Sequence, residues 1–213
     1  MIGGQDMGSG LDTTRISIFP LSGAILFPGL QLPLHVFEPR YRALIEDSLA
    51  RDRMIGMIQP QRPAEGAPLF DVGCLGRIGE VEALEDGRFN VVLDGVSRFR
   101  VIHEMEVDTP FRQVRAELLA DNDEVALLPV ERAAFEEEAK TFADAQGYSV
   151  DWDQVSRLDD MSLINGVAQV APFDAAAKQA LLETGTLGER CNLLVQLMQF
   201  FGRHGDDDSV TLQ

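Results

Sequence analysis

The stretch LPLHVFEPRYRALI, Leu32 to Ile45, joins an extended, proline-punctuated strand directly to an amphipathic helix. Pro33 and Pro39 forbid a helix running through the whole segment. Pro39 nevertheless suits a first helical turn, where its missing N–H would have had no partner. From there Tyr41, Leu44, Ile45 and Leu49 recur at helical spacing, which predicts one core-facing helix from Pro39 to about Arg53. Around it the runs ISIF, LPLHV and MIGMI read as short strands. GRIGEVEAL and RFNVVLDGV flank Glu85, Asp86 and Gly87, a tight hairpin turn. SRFRVIHE reads as a further extended run, and FRQVRAEL as another, each alternating apolar and polar positions. Strands at this spacing favour a small barrel.

Beyond Asp121, Asn122, Asp123 and Glu124 the period becomes helical. Phe135, Ala139 and Phe142 share a face, and Glu136 stands four residues before Lys140, an orientation that favours an ion pair. Ser162 precedes the run LINGVAQVA, Pro172 stops it, Gly185 ends the next, and Thr186 with Glu189 forms a capping box before the last. The count is four main helices with a short extra one near Trp152. The expected class is α+β: a β-rich barrel with one inserted helix, then a helical bundle. The expected divisions are a mobile N-terminal tail over 1–12, a β-rich subdomain over 13–120, a helical subdomain over 121–203 and an acidic tail over 204–213. The two subdomains are expected to bury different cores and to be separable near Asp121 to Glu124.

A chain of 213 residues buries enough surface to fold without a metal or disulfide. Its net charge of −17 and pI near 4.4 repel phosphate backbones and anionic membranes, so nucleic acid is an unlikely partner. Two distant cysteines, Cys74 and Cys191, fit neither a disulfide framework nor a zinc motif, and a reducing cytoplasm is the expected location.

Phe19, Pro20 and Leu21, then Leu26 to Gly29, then Leu32 to Arg42 resemble the opening signature of the N-terminal, substrate-binding domain of Lon proteases. Gly73 to Ile78 and Asp86 to Val101 are similar to its second and third signatures. The resemblance implies a PUA-like pseudo-barrel followed by helices. In full-length Lon proteases this module recognises substrates and is joined to an ATPase and a serine–lysine peptidase. The only lysines here are Lys140 and Lys178, and neither sits in a GxxxxGK[ST] loop or beside a nucleophile at motif spacing. The reading is therefore a standalone family member that is not an enzyme, with no catalytic residue and no cofactor.

Three functional classes follow. The first is a non-enzymatic binding module for unfolded or degradation-prone polypeptides, acting alone or for a separate protease. Its expected contact residues are Leu26, Phe27, Pro28, Leu30 and Leu32, apolar groups held between prolines in a connection expected at the surface. The second is RNA binding, which the PUA-like fold suggests and which Arg98, Arg100, Arg112 and Arg115 would serve if they formed one basic stripe. The third is an enzyme acting on a small molecule in the cleft between barrel and bundle. His35 and Glu38 have H-x-x-E spacing, but His35 precedes Pro39 in extended chain, so no metal site is assigned. His35, Glu38, Arg40 and Tyr41 are read instead as a structural junction between strand and helix.

Overall fold

A computed structural model of the chain describes residues 13–120 and 126–204. The expected N-terminal tail, the linker Asp121 to Glu124 and nearly all of the acidic tail lie outside the described residues. In order come β1 (Thr13–Pro20), β2 (Gln31–Val36), α1 (Pro39–Leu49), β3 (Met54–Ile58), β4 (Val72–Ala83), β5 (Phe89–Glu104) and β6 (Gln113–Leu118). Five helices complete it: α2 (Pro129–Ala145), α3 (Trp152–Val155), α4 (Asp160–Val170), α5 (Ala175–Glu183) and α6 (Leu187–His204). The mixed α+β class and the helical second half are as the sequence predicts.

The strands lie in the order β2-β5-β4-β3-β1-β6, and β6 returns to pair with β5. Thus β1, β3, β4, β5 and β6 close a barrel while β2 hangs outside the circuit. Among the described strands only β1 and β3 are parallel. What makes this possible is the length of β5. Its first part, Phe89 to Asp94, pairs with β2, whereas Phe99 to Glu104 pairs with β6. SRFRVIHE is therefore the second half of this strand rather than a strand of its own. The hairpin turn between β4 and β5 forms as expected, with Gly87 at φ 79°. Among the described residues β2 has a neighbour on one side only, and Pro33 removes a donor from it, a device that discourages further strand addition at an edge.

Pro39 opens α1, and Tyr41, Leu44, Ile45 and Ser48 are its buried face. The helix stops at Leu49, short of the expected Arg53. There the chain turns sharply: Arg53 adopts φ 62°, its N–H donates to the Ser48 carbonyl, and its guanidinium bonds the carbonyls of Ile78 and Gly79. Those bonds offset the cost of a left-handed conformation in a residue with a Cβ.

In the second half, Asp159 rather than Ser162 caps α4, accepting the Ser162 N–H at 2.8 Å. The Thr186–Glu189 capping box forms as expected. Glu136 pairs at 2.9 Å with Arg132, four residues before it, rather than with Lys140, because Arg132 is also held by Asp160 at 2.6 Å. Lys140 instead lies over the Trp152 ring, 5.5 Å from its centroid.

Two apolar clusters hold the molecule, and their boundary is not the one the sequence suggests. The smaller, with Ile16, Ile18, Leu75, Phe99 and Val114, contains no helical residue and fills the barrel. The larger runs from Phe19, Phe27, Leu44 and Leu93 into Phe135, Leu163, Leu182 and Met198, so both halves share one core. Polar side chains reinforce that seam. Gln59 donates to the Ala175 carbonyl and to Gln179, and Gln179 donates to the Val72 carbonyl. Buried backbone carbonyls that would otherwise lose their water partners are thereby satisfied. Among the described residues no helix is long and apolar enough to cross a membrane.

Candidate functional site

The loop expected to meet polypeptide is built into the seam. Leu26 and Phe27 are 1% and 0% exposed, and Pro28 is buried as well. Leu30 and Leu32 are half-buried against the larger core. α4 grips this loop: Gln169 accepts the Phe27 N–H and donates to the Gln31 carbonyl, and Asn165 donates to the Pro28 carbonyl. Behind them Arg190 of α6, itself buried, donates to Asn165 at 2.7 Å and lays its guanidinium over the Phe27 ring, 5.4 Å from the centroid. On the other side Gly95 leaves room for the loop, since a Cβ there would collide with the Phe27 carbonyl. The expected surface exposure of Leu26, Phe27 and Pro28 is thus corrected: apolar groups between prolines here close a core.

Of the residues expected at the junction, Arg40 and Tyr41 tie α1 to the loop at Glu65 and to the end of β1, while His35 bonds toward β5. Arg40 pairs with Glu38 at 2.9 Å and with Glu65 at 2.8 Å, and stacks on Tyr41 at 4.6 Å. Tyr41 donates to the Pro20 carbonyl and stacks on Phe19, with centroids 4.0 Å apart; burial raises its phenol above the ordinary value. His35 is exposed and bonded to Asn90 at 2.7 Å and to Arg88 at 3.1 Å.

The four arginines do not make a stripe. Arg98 is buried and donates to the carbonyls of Leu182 and Thr184, while Arg112 clamps Glu104 and reaches the Ala67 carbonyl. Arg100 stands opposite Glu117 across the β5–β6 ladder. The seam envisaged for a small-molecule site is filled by the Gln59–Gln179 and Arg190–Asn165 contacts.

An open apolar surface lies elsewhere, in the helical half, and the sequence reading missed it. Between α2, α3, α4 and the end of α6 runs a groove of about 290 Å³. Ala139, Phe142 and Ala143 of α2 form one wall, Leu163, Gly166, Val167 and Val170 of α4 the other, and Met198 of α6 the base. Tyr148, Val150, Trp152, Val155 and Leu158 complete it. Large apolar side chains stand in solvent around it: Tyr148 is 50% exposed, Leu158 43% and Val170 76%. The groove exists because α3 is a single turn of four residues, too short to cover the gap between α2 and α4. Gly166 deepens it, because a side chain there would meet nothing within 4 Å. The Ser162 hydroxyl is turned away to Asp159 at 2.7 Å, leaving few polar atoms inside. The signal was present in Tyr148, Val150 and Trp152, whose spacing of two gives an extended segment one apolar side.

A sequence model described as the ATP-dependent protease La (LON) substrate-binding domain matches residues 15–199. The chain belongs to this family. Relatives of this Lon substrate-binding domain include Lon protease 2 of Myxococcus xanthus, 27% identical over 192 residues, covering 86% of this chain and 23% of that protein. Lon protease 2 of Sorangium cellulosum is 33% identical over 116 residues, covering 52% of this chain and 14% of the relative. The chain therefore spans less than a quarter of the length of either. Among solved structures, the N-terminal domain of Mycobacterium avium complex Lon protease matches with a TM-score of 0.69 and 18% identity, covering 87% of this chain and 98% of that one. A Lon N-terminal domain protein from Xanthomonas campestris gives 0.64 and 21%, covering 86% and 98%. At these identities the structural matches establish the fold.

Proposed function

We propose that this Lon substrate-binding domain holds unfolded or degradation-prone polypeptide segments without chemistry of its own, and that the groove between α2 and α4 is where it does so. The observation that carries the reading is a groove lined almost wholly by apolar side chains and open to solvent, in a family described by substrate binding. Two or three anchored apolar side chains would each contribute roughly 1.5–3 kcal/mol before ordering costs, which corresponds to weak, reversible binding. Such binding suits a recognition step that precedes handover to a separate protease.

Gly166→Leu tests the site. The new side chain enters open groove and replaces a helix-interior glycine, so the fold should be retained or slightly stabilised. Binding to a permanently unfolded model protein, measured by fluorescence anisotropy, should weaken at least about tenfold, the loss of about one anchored side chain. Unchanged affinity in a folded variant would remove the groove from the mechanism.

A further inference from the structure

The segment that supplies much of the groove is strongly one-signed. From Glu136 to Asp160, the segment that supplies α2's second half, α3 and the connection to α4, the sequence carries eight carboxylates against two cations, Lys140 and Arg157. Asp144 adjoins Ala143 of the wall, Asp151 and Asp153 bracket Trp152, and Asp159 follows Leu158; all four carboxylates are exposed. Of the two cations, Lys140 is engaged over the Trp152 ring. Arg132, just upstream, is held by Glu136 and Asp160. An apolar trough rimmed in this way attracts cations and repels anions over about a Debye length.

Resting on the polypeptide-binding reading above, we propose that the groove selects apolar segments flanked by lysine or arginine, the apolar residues entering between α2 and α4 and the basic flanks meeting Asp144, Asp151, Asp153 and Asp159. The same complementarity argues against the chain's own C-terminal residues as occupant, since Asp206, Asp207 and Asp208 share the rim's sign. It argues equally against a second copy of a chain whose net charge is −17.

The test uses the intact protein and three labelled peptides with one common core of Leu, Phe and Val, flanked by lysines, serines or glutamates. Anisotropy should show the lysine-flanked peptide binding at least about tenfold tighter than the glutamate-flanked one at ~0.01 M salt. The ratio should approach unity at ~1 M, where the Debye length falls to ~3 Å. Asp144→Asn with Asp153→Asn should cut that ratio by about half or more while leaving the serine-flanked peptide unaffected. Gly166→Leu should weaken all three.

Three peptides of equal affinity at low salt would overturn the charge selection and leave the groove reading standing. No binding by any of them would remove both. Lysine-flanked binding whose affinity is left unchanged by Gly166→Leu would assign the attraction to the general acidic surface and overturn the proposal. Self-association that excludes the lysine-flanked peptide would make a second copy the occupant, with the same result.

Discussion

Phe27→Ala is the substitution on which the two readings of the Leu26–Leu32 loop differ most. A solvent-facing Phe27 could be removed at almost no cost, as is usual for exposed positions. The structure instead gives a fully buried ring under the Arg190 guanidinium, with its own N–H bonded to Gln169. Removing a buried phenylalanine costs about 3–5 kcal/mol, and the upper part of that range applies, because a desolvated cation loses its aromatic face and the surrounding helices cannot collapse into the space. Against a typical total of about 5–15 kcal/mol that is a large fraction. The melting temperature should fall by roughly 8–20 °C and the urea midpoint by about 2 M. Trp152 is the sole tryptophan and sits in the helical half, far along the chain from the mutation, so its fluorescence reports whether the damage crosses the seam. Urea titrations followed by Trp152 emission and by far-ultraviolet circular dichroism should shift together. A loss below about 1 kcal/mol would place Phe27 at the surface after all. A Trp152 transition that keeps its wild-type midpoint while the dichroism shifts would mean that the halves unfold separately, as the linker composition suggests.

Two further outcomes follow from single groups. The Asp159 carboxylate is held below its ordinary pKa by the backbone N–H of Ser162, then by its hydroxyl, so its folded value is depressed. Its stabilisation is present above the ordinary carboxylate range and is lost as the pH falls through the lowered value. Asp159→Asn should keep the cap and flatten the acid limb of stability against pH, whereas Asp159→Ala should cost about 0.5–2 kcal/mol at neutral pH; identical acid limbs for wild type and Asp159→Asn would refute the assignment. Burial pushes the Cys191 thiol up to about 11, with Glu131 and Asp160 adding to the effect. The unfolded thiol ionises first on raising the pH, so stability should decline above about 8.5. Cys191 should resist thiol reagents until the protein is denatured, and rapid native-state labelling in a Cys74→Ala background would contradict its burial.

What could be read from the sequence was local. Pro39 with the Tyr41, Leu44 and Ile45 spacing predicts α1, Asp86–Gly87 predicts its hairpin, and Thr186 with Glu189 predicts its cap, because each signal lies within a few residues of the structure it specifies. The misreadings came where a distant partner decides. Glu136 has a cation four residues away on either side, and Asp160 settles which one it uses by fixing Arg132. Ser162 marks the start of α4 as expected, and it does so by donating to Asp159. The loop at Phe27 carries the same hydrophobicity whether it is covered or bare. Its cover, Gln169 and Asn165, arrives 142 and 137 residues later along the chain. The groove was hidden for the converse reason: helical periodicity assigns Phe142 and Leu163 to a core, and only the shortness of α3 leaves part of that face open.

The long β5 strand and the seam also set a timetable for the nascent chain. β1 finds its antiparallel neighbour in β6, so the barrel cannot close until residue 118 has left the ribosome. Even then Arg98 awaits the carbonyls of Leu182 and Thr184, and the Phe27 ring awaits Arg190. At ~5–20 residues per second the delay is roughly 4–15 s, during which a closed barrel presents an unfinished apolar flank to solvent. A chain stopped after β6 would keep that flank permanently, so barrel-only fragments should be retained by chaperones while the full chain is released.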